Sequence, residues 1–143
     1  MSYSVKSYMI KEVNTISGEV IVTEAAKTMA EKDDGYLIIL KEGKPVGIVT
    51  ERDLVKKVLA KEVNPTTINI SSIMSTPLIT IDPDEDLLKA SEIMHEHKIR
   101  KLPVVRDGII YGILTATEIA NKCGAYVDST VRDIIRWTAP LGI

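Results

Sequence analysis

With a single cysteine, Cys123, in 143 residues, the chain can form no internal disulfide and no cysteine cluster for a metal. It has no excess of either charge. Its 18 Lys and Arg stand against 20 Asp and Glu, so no chain-wide basic field draws it to nucleic acid. No run of about 18 apolar residues offers a membrane span, and the opening MSYSVKSYMIKEV lacks the unbroken apolar stretch of a secretion signal. A cytoplasmic protein is the expectation. Catalytic signatures are missing as well. There is no G-x-S-x-G and no Walker loop, Cys123 has no histidine near it in sequence, and His95 and His97 stand two apart on an expected helix, facing different sides. What remains is a globular composition, 45% apolar and 27% charged, in a chain long enough to bury a core.

What is present is a repeat. The segments GIVTERDL, 47–54, and GILTATEI, 112–119, lie 65 residues apart. Slid on itself by that offset without gaps, the chain also matches Met9 with Met74, Thr15 with Thr80, Ile16 with Ile81, Met29 with Met94, Leu37 with Leu102 and Gly43 with Gly108. Hydrophobic positions track too, which marks an internal duplication.

Each copy reads as strand, helix, strand, strand, helix. In the first, VNTI is extended, and TEAAKTMAEKDDG places Ala25, Ala26, Met29 and Ala30 at helical spacing before Gly35. YLIIL, the turn KEGK and PVGIVT predict a hairpin, and ERDLVKKVLAK a second helix. In the second, PLITI, DEDLLKASEIMHEHK, KLPVV, IIYGIL and ATEIANKC take the same places. Asp84, Glu85 and Asp86 suit the positive end of that first helix, and Met29, Met74 and Met94 are expected to pack. The polar, proline-punctuated EVNPTTINISSIMSTP predicts a connector. We therefore expect an α+β fold of two βαββα repeats packed with pseudo-twofold symmetry, because one such unit of about 50 residues is marginal alone. The expected divisions are repeat 1 at 1–61, a linker at 62–72, repeat 2 at 73–125 and an amphipathic tail at 126–143.

The chemistry gathers where each hairpin runs into its second helix. Thr50 is followed three residues later by Asp53, and Thr115 by Glu118. Two uses fit this spacing. A capping box satisfies two helix amides and needs no ligand. Alternatively, helix amides and a hydroxyl face a phosphate while the carboxylate accepts from a ribose diol.

The duplicated unit with G-h-h-T-x-x-D resembles a tandem pair of CBS domains, the Bateman module, over about 5–125. The carrying motifs are SYMIKEVNTI, GIVTERDL, SSIMSTPLITI, KIRKLPVV, DG and GILTATEI. The resemblance implies a non-catalytic regulatory module. Its regulatory ligand would be an adenine nucleotide (AMP, ADP or ATP) or S-adenosylmethionine, bound between the repeats. Carried over, it implies Asp53 as ribose acceptor, Thr50 and Arg52 beside ribose or phosphate, and Ile48 against adenine. Arg100 and Lys101 would reach the phosphates and complete a composite primary site. A secondary site would use Ile113, Thr115, Thr117 and Glu118, with Gly35 and Tyr36 standing where Arg100 and Lys101 stand in the other copy. Glu118 departs from the usual aspartate there.

In the tail, TVRDII echoes SVKSYM and ISSIM, and Val131, Ile134, Ile135 and Trp137 predict an apolar stripe. A homodimer and a separate effector protein are the expected partners. A ligand-free dimerisation scaffold is the alternative, with a nucleic-acid binder or an enzyme behind it.

Overall fold

The structure, a computed structural model, describes residues 3–123, so the expected tail stripe at Val131, Ile134, Ile135 and Trp137 lies outside the described residues. The order strand, helix, strand, strand, helix occurs twice. In repeat 1, β1 (Thr15–Ser17), α1 (Val22–Lys32), β2 (Tyr36–Lys41), β3 (Lys44–Thr50) and α2 (Glu51–Leu54) follow one another, and α2 continues into a π-helical stretch, Val55–Leu59. In repeat 2, α3 (Leu87–His97), β4 (Lys101–Arg106), β5 (Ile109–Thr115) and α4 (Ala116–Cys123) do the same after a reduced first strand. Both hairpins turn on two residues of positive φ, Glu42–Gly43 and Asp107–Gly108. This is the geometry a two-residue turn needs to match strand twist.

The described residues form two compact units, one of 13–79 and one of 80–123 together with 3–12. Each repeat is therefore completed by a segment that precedes the other repeat in the chain. In the first unit, β1 runs parallel to β2 and β3 antiparallel to it, and Leu37, Ile39 and Val49 meet Val22, Ala25 and Met29 in one core. Ile70 and Ile73 belong to that core, so the expected polar connector is here a structural element. A 3₁₀ turn, Ile70–Ser72, places side chains three apart on one side, which buries the two isoleucines and leaves Ser71 and Ser72 exposed.

The docking of this segment explains the glycine of GIVTERDL. Ile48 and Ser75 exchange both backbone hydrogen bonds, at 3.1 and 2.8 Å. A Cβ on Gly47 would lie 2.6 Å from Met74 Sδ and 2.9 Å from the Ser75 carbonyl. The second unit repeats the device. Ile113 and Ile10 exchange two bonds of 2.8 Å, and a Cβ on Gly112 would lie 2.6 Å from the Ile10 carbonyl and 2.8 Å from Met9 Sδ.

One element departs from expectation. PLITI does not form a full strand: Ile81 alone makes a parallel bridge, to Val104, and the second sheet has only β4 and β5. The reason is in KLPVV. Ile38 donates its N–H to the Asn14 carbonyl at 2.8 Å, and the residue 65 further on is Pro103, which has no N–H to give. The second helix of repeat 1 also departs, since Ala60 and Val63 bond five residues back, to Val55 and Val58.

The N-terminal segment of the second unit is held by charge as well. Arg106 reaches Asp82 through two bonds, 2.9 and 2.6 Å, and also pairs with Asp84, which takes Lys6 at 2.9 Å. The guanidinium holds the Asp82 carboxyl down at about 2, with a backbone bond from Asp84 adding to this, and Arg106 and Lys6 together lower Asp84.

Two outcomes follow for stability in urea. Ile70→Ala should cost about 2–5 kcal/mol as a core truncation, and Gly47→Ala about 1–3 kcal/mol as overpacking, whereas a linker residue would move it by less than about 0.5 kcal/mol. For pH, a lowered folded-state carboxyl keeps its contribution above its ordinary value and loses it as the acid form is reached. Stability should therefore fall as pH drops from about 4 towards about 2, and Asp82→Asn should flatten that fall.

Candidate functional site

At the β3–α2 junction the chain leaves an extended residue, Thr50, and enters a helix. The first helix amide, of Glu51, donates to the Gly35 carbonyl at 3.1 Å, which ties the junction to the residue ahead of β2. Across the hairpin Thr50 pairs with Tyr36, and Ile48 with Ile38. Asp53 turns back towards Thr50 and is only 9% exposed.

The Asp53 carboxylate is fully engaged. Its Oδ2 accepts the Thr50 N–H at 2.9 Å, the reciprocal bond of a capping box, and the Thr50 hydroxyl at 3.3 Å. Its Oδ1 accepts Lys57 Nζ at 3.0 Å and the Ser75 hydroxyl at 3.2 Å. Lys57 Nζ also donates to the Ile73 carbonyl at 3.0 Å. A carboxylate has about four lone-pair directions, and here each has a donor. The arrangement joins α2 and its π-helical continuation to the docked 70–75 segment.

Of the other residues singled out in this half, Arg52 is exposed on α2. Tyr36 is buried, its hydroxyl accepting the Asn14 N–H at 3.2 Å, and burial pushes the phenol above its ordinary range. Gly35 faces Glu51 so closely that a Cβ would lie 2.2 Å from Oε1, the mobile end of that side chain.

The β5–α4 junction has the same backbone and different side-chain chemistry. Ala116 donates to the Arg100 carbonyl at 3.0 Å, and Lys101 pairs with Thr115 across the hairpin, so Arg100 and Lys101 stand beside Thr115 in their own repeat. Here one half of the box is made, Glu118 N–H to Thr115 Oγ1 at 3.0 Å, whereas both halves are present at Thr50 and Asp53. The Glu118 carboxylate goes to Lys122 at 3.3 Å instead. Ile113 is buried and Thr117 exposed. Among the described residues, no three His, Cys, Asp or Glu side chains gather as a metal site, and no helix is long and apolar enough to cross a membrane.

Two residues of the Asp53 cluster escape a reading of the T-x-x-D motif alone. Lys57 had a signal: it lies four after Asp53, as Lys122 lies four after Glu118, 65 residues on. Ser75 had none, because its counterpart in the repeat is Ile10 and only docking brings it to Asp53. Asp53→Ala should cost about 1–2 kcal/mol by leaving the Thr50 amide and Lys57 without their acceptor, while Lys57→Met should cost about 1 kcal/mol or less. A denaturation double-mutant cycle should show the two changes to be non-additive, and strict additivity would dissolve the pair.

Comparison with known proteins bears on what this junction belongs to. The family model described as CBS domain matches residues 5–60 and again 70–124. The CBS domain-containing protein YhcV of Bacillus subtilis is 32% identical over 117 residues, covering 82% of this chain and 83% of that protein. Inosine-5'-monophosphate dehydrogenase of Nitrosopumilus maritimus is 38% identical over 118 residues, but the match spans only 23% of the enzyme. A hexameric CBS-CP12 protein from bloom-forming cyanobacteria superposes with a TM-score of 0.79 at 28% identity, covering 99% of this chain and 86% of that one. The chain belongs to the CBS-domain family and carries two CBS domains in tandem.

Proposed function

We propose that the protein is a regulatory module that senses an adenosine-containing ligand, AMP, ADP, ATP or S-adenosylmethionine, with Asp53 as the acceptor of the ribose diol. The supporting observation is the composition of the Asp53 cluster. Each carboxylate oxygen accepts one charged or backbone donor at 2.9–3.0 Å and one hydroxyl at 3.2–3.3 Å. The two hydroxyls, of Thr50 and Ser75, are the weaker donors and can rotate away. A ribose diol offers two hydroxyls in their place, while the Thr50 amide and Lys57 keep the carboxylate aimed. Ile48, Thr50 and Arg52 complete the primary site in this reading, with Arg100 and Lys101 serving the phosphates. Ile113, Thr115, Thr117 and Glu118, with Gly35 and Tyr36, form a weaker secondary site, because Glu118 is one methylene longer and directed to Lys122.

Binding would shift the module between states that a partner protein distinguishes, in a self-associated, cytoplasmic protein. The match to the dehydrogenase covers the smaller part of that enzyme, so its chemistry is not carried over. A ligand-free dimerisation scaffold is the second reading, favoured by the saturation of Asp53 without any ligand.

The two readings part in a thermal-unfolding panel of AMP, ADP, ATP, S-adenosylmethionine, GMP and NAD on nucleotide-stripped protein. A ligand at a hundred times its dissociation constant should add about 2.7 kcal/mol, and Asp53→Asn should abolish the gain. Ser75→Ala, which removes a competing hydroxyl, should tighten binding by roughly fivefold. No stabilisation by any compound would leave the scaffold.

A further inference from the structure

A cavity of about 550 Å³ opens in the second unit where three stretches of chain meet, and residues of that unit alone line it. The docked N-terminal segment gives Lys6, Met9 and Lys11, and the stretch ahead of α3 gives Pro83 and Asp84. The hairpin gives Arg106 and Tyr111. The cavity sits at the turn end of that hairpin. Thr115 stands at the other end of β5, roughly 13 Å from Tyr111 at about 3.3 Å per residue, so the cavity is separate from the β5–α4 junction. Its size falls within the range of small-molecule sites, about 300–1,000 Å³.

The wall has more donors than its own acceptors use. Arg106 gives Nε and Nη2 to Asp82 and Asp84, and Lys6 gives one N–H to Asp84. That leaves the Nη1 amino group of Arg106 and the other N–H groups of Lys6, while the exposed Lys11 is in no ion pair among the described residues. Three cations against two carboxylates leave one positive charge over. Tyr111 is set into this place by a β-bulge. As β4 advances from Val104 to Val105, the register on β5 passes from Gly112 to Ile110, so Tyr111 is the extra residue, and a bulge re-aims such a side chain. It is 41% exposed. Repeat 1 has the same bulge, but there the extra residue, Val46, packs against the core. Lys6 and Lys11 correspond to Ser71 and Thr76, and the Thr76 hydroxyl donates to the Val46 carbonyl at 3.1 Å. One frame thus closes on itself, and the other presents cations and a ring.

We propose that this cavity binds a small anion with a flat aromatic body, its acid group a carboxylate, sulfonate or phosphate. The acid group takes the unused N–H groups of Lys6, Lys11 and Arg106, and the ring lies against Tyr111 and Met9. Such a ligand touches all three stretches of chain, so it fastens the N-terminal segment to repeat 2 beside the Ile10–Ile113 pairing. Nothing in this site depends on Asp53.

Anilinonaphthalene sulfonate, an aromatic body with one sulfonate, is the probe, titrated into the full chain carrying carbon-13 at its methionine methyls. Met9 lines the cavity and Met74, its equivalent in the other repeat, packs at Gly47, so one methyl tests the site and the other controls for it. Met9 should shift saturably at one probe per chain, and further than Met74. Lys11→Thr with Tyr111→Val, which installs the residues of repeat 1, should weaken binding about tenfold or more. Lys11→Thr alone leaves the bulge untouched and should weaken it several-fold, as should added salt. Phenylnaphthylamine, which lacks the sulfonate, should bind at least about tenfold more weakly. Equal binding of the two probes, equal shifts at Met9 and Met74, or wild-type affinity in the double variant would each overturn the site.

Discussion

One backbone pairing, used twice, organises this protein. Ile48 with Ser75, and Ile113 with Ile10, each exchange two hydrogen bonds between the last strand of a hairpin and a segment from elsewhere in the chain. The pairing needs a glycine before the isoleucine, because the methionine and carbonyl of the docked segment occupy the space of a Cβ. It closes one side of each small core, and in repeat 1 it delivers Ile70 and Ile73 into it. A sheet of two or three short strands with one helix face has little apolar area to spare, so a borrowed segment that buries two isoleucines is a substantial fraction of what holds the unit.

The same docking builds the candidate site. Ser75 reaches Asp53 only because its backbone is pinned to Ile48, and Lys57 ties the carboxylate to the Ile73 carbonyl in the segment one step earlier. The residue proposed to meet a ligand is thus hydrogen-bonded to the stretch of chain that leads into the second repeat. A ligand that displaced the Ser75 hydroxyl would act on that stretch directly. This is a physical route from occupancy to conformation.

Duplication supplied two equal frames, and substitution made them unequal. Pro103 removes one ladder donor and leaves the second sheet with two strands. Glu118 turns to Lys122 where Asp53 turns to Thr50. Arg106 binds Asp82 and Asp84 where the first repeat has Lys41, Ser17 and Glu19. Lys98 stands where repeat 1 has Asp33, and Glu92 where it has Lys27. Pro103 is buried and alters the sheet itself, whereas the Arg106 and Glu118 changes are made by side chains that are not buried, where sequence is freer to specialise.

Much of this was legible before any coordinates. The 65-residue offset, the helical spacing of Ala25, Met29 and Ala30, and the Glu-Gly and Asp-Gly turns are local or periodic signals, and they determined the order of elements, the hairpins and the T-x-x-D junction. The loss of the PLITI strand was not expected, although its cause is a proline where a ladder donor was due. The tertiary structure alone decided what depends on distant segments meeting. It made a polar connector part of a core, because a 3₁₀ turn sorts Ile70 and Ile73 from the serines around them. It also set Ser75 and Lys57 on Asp53, because a hydrogen bond depends on where backbones are pinned, and residues 22 apart in sequence give no local sign that they will touch.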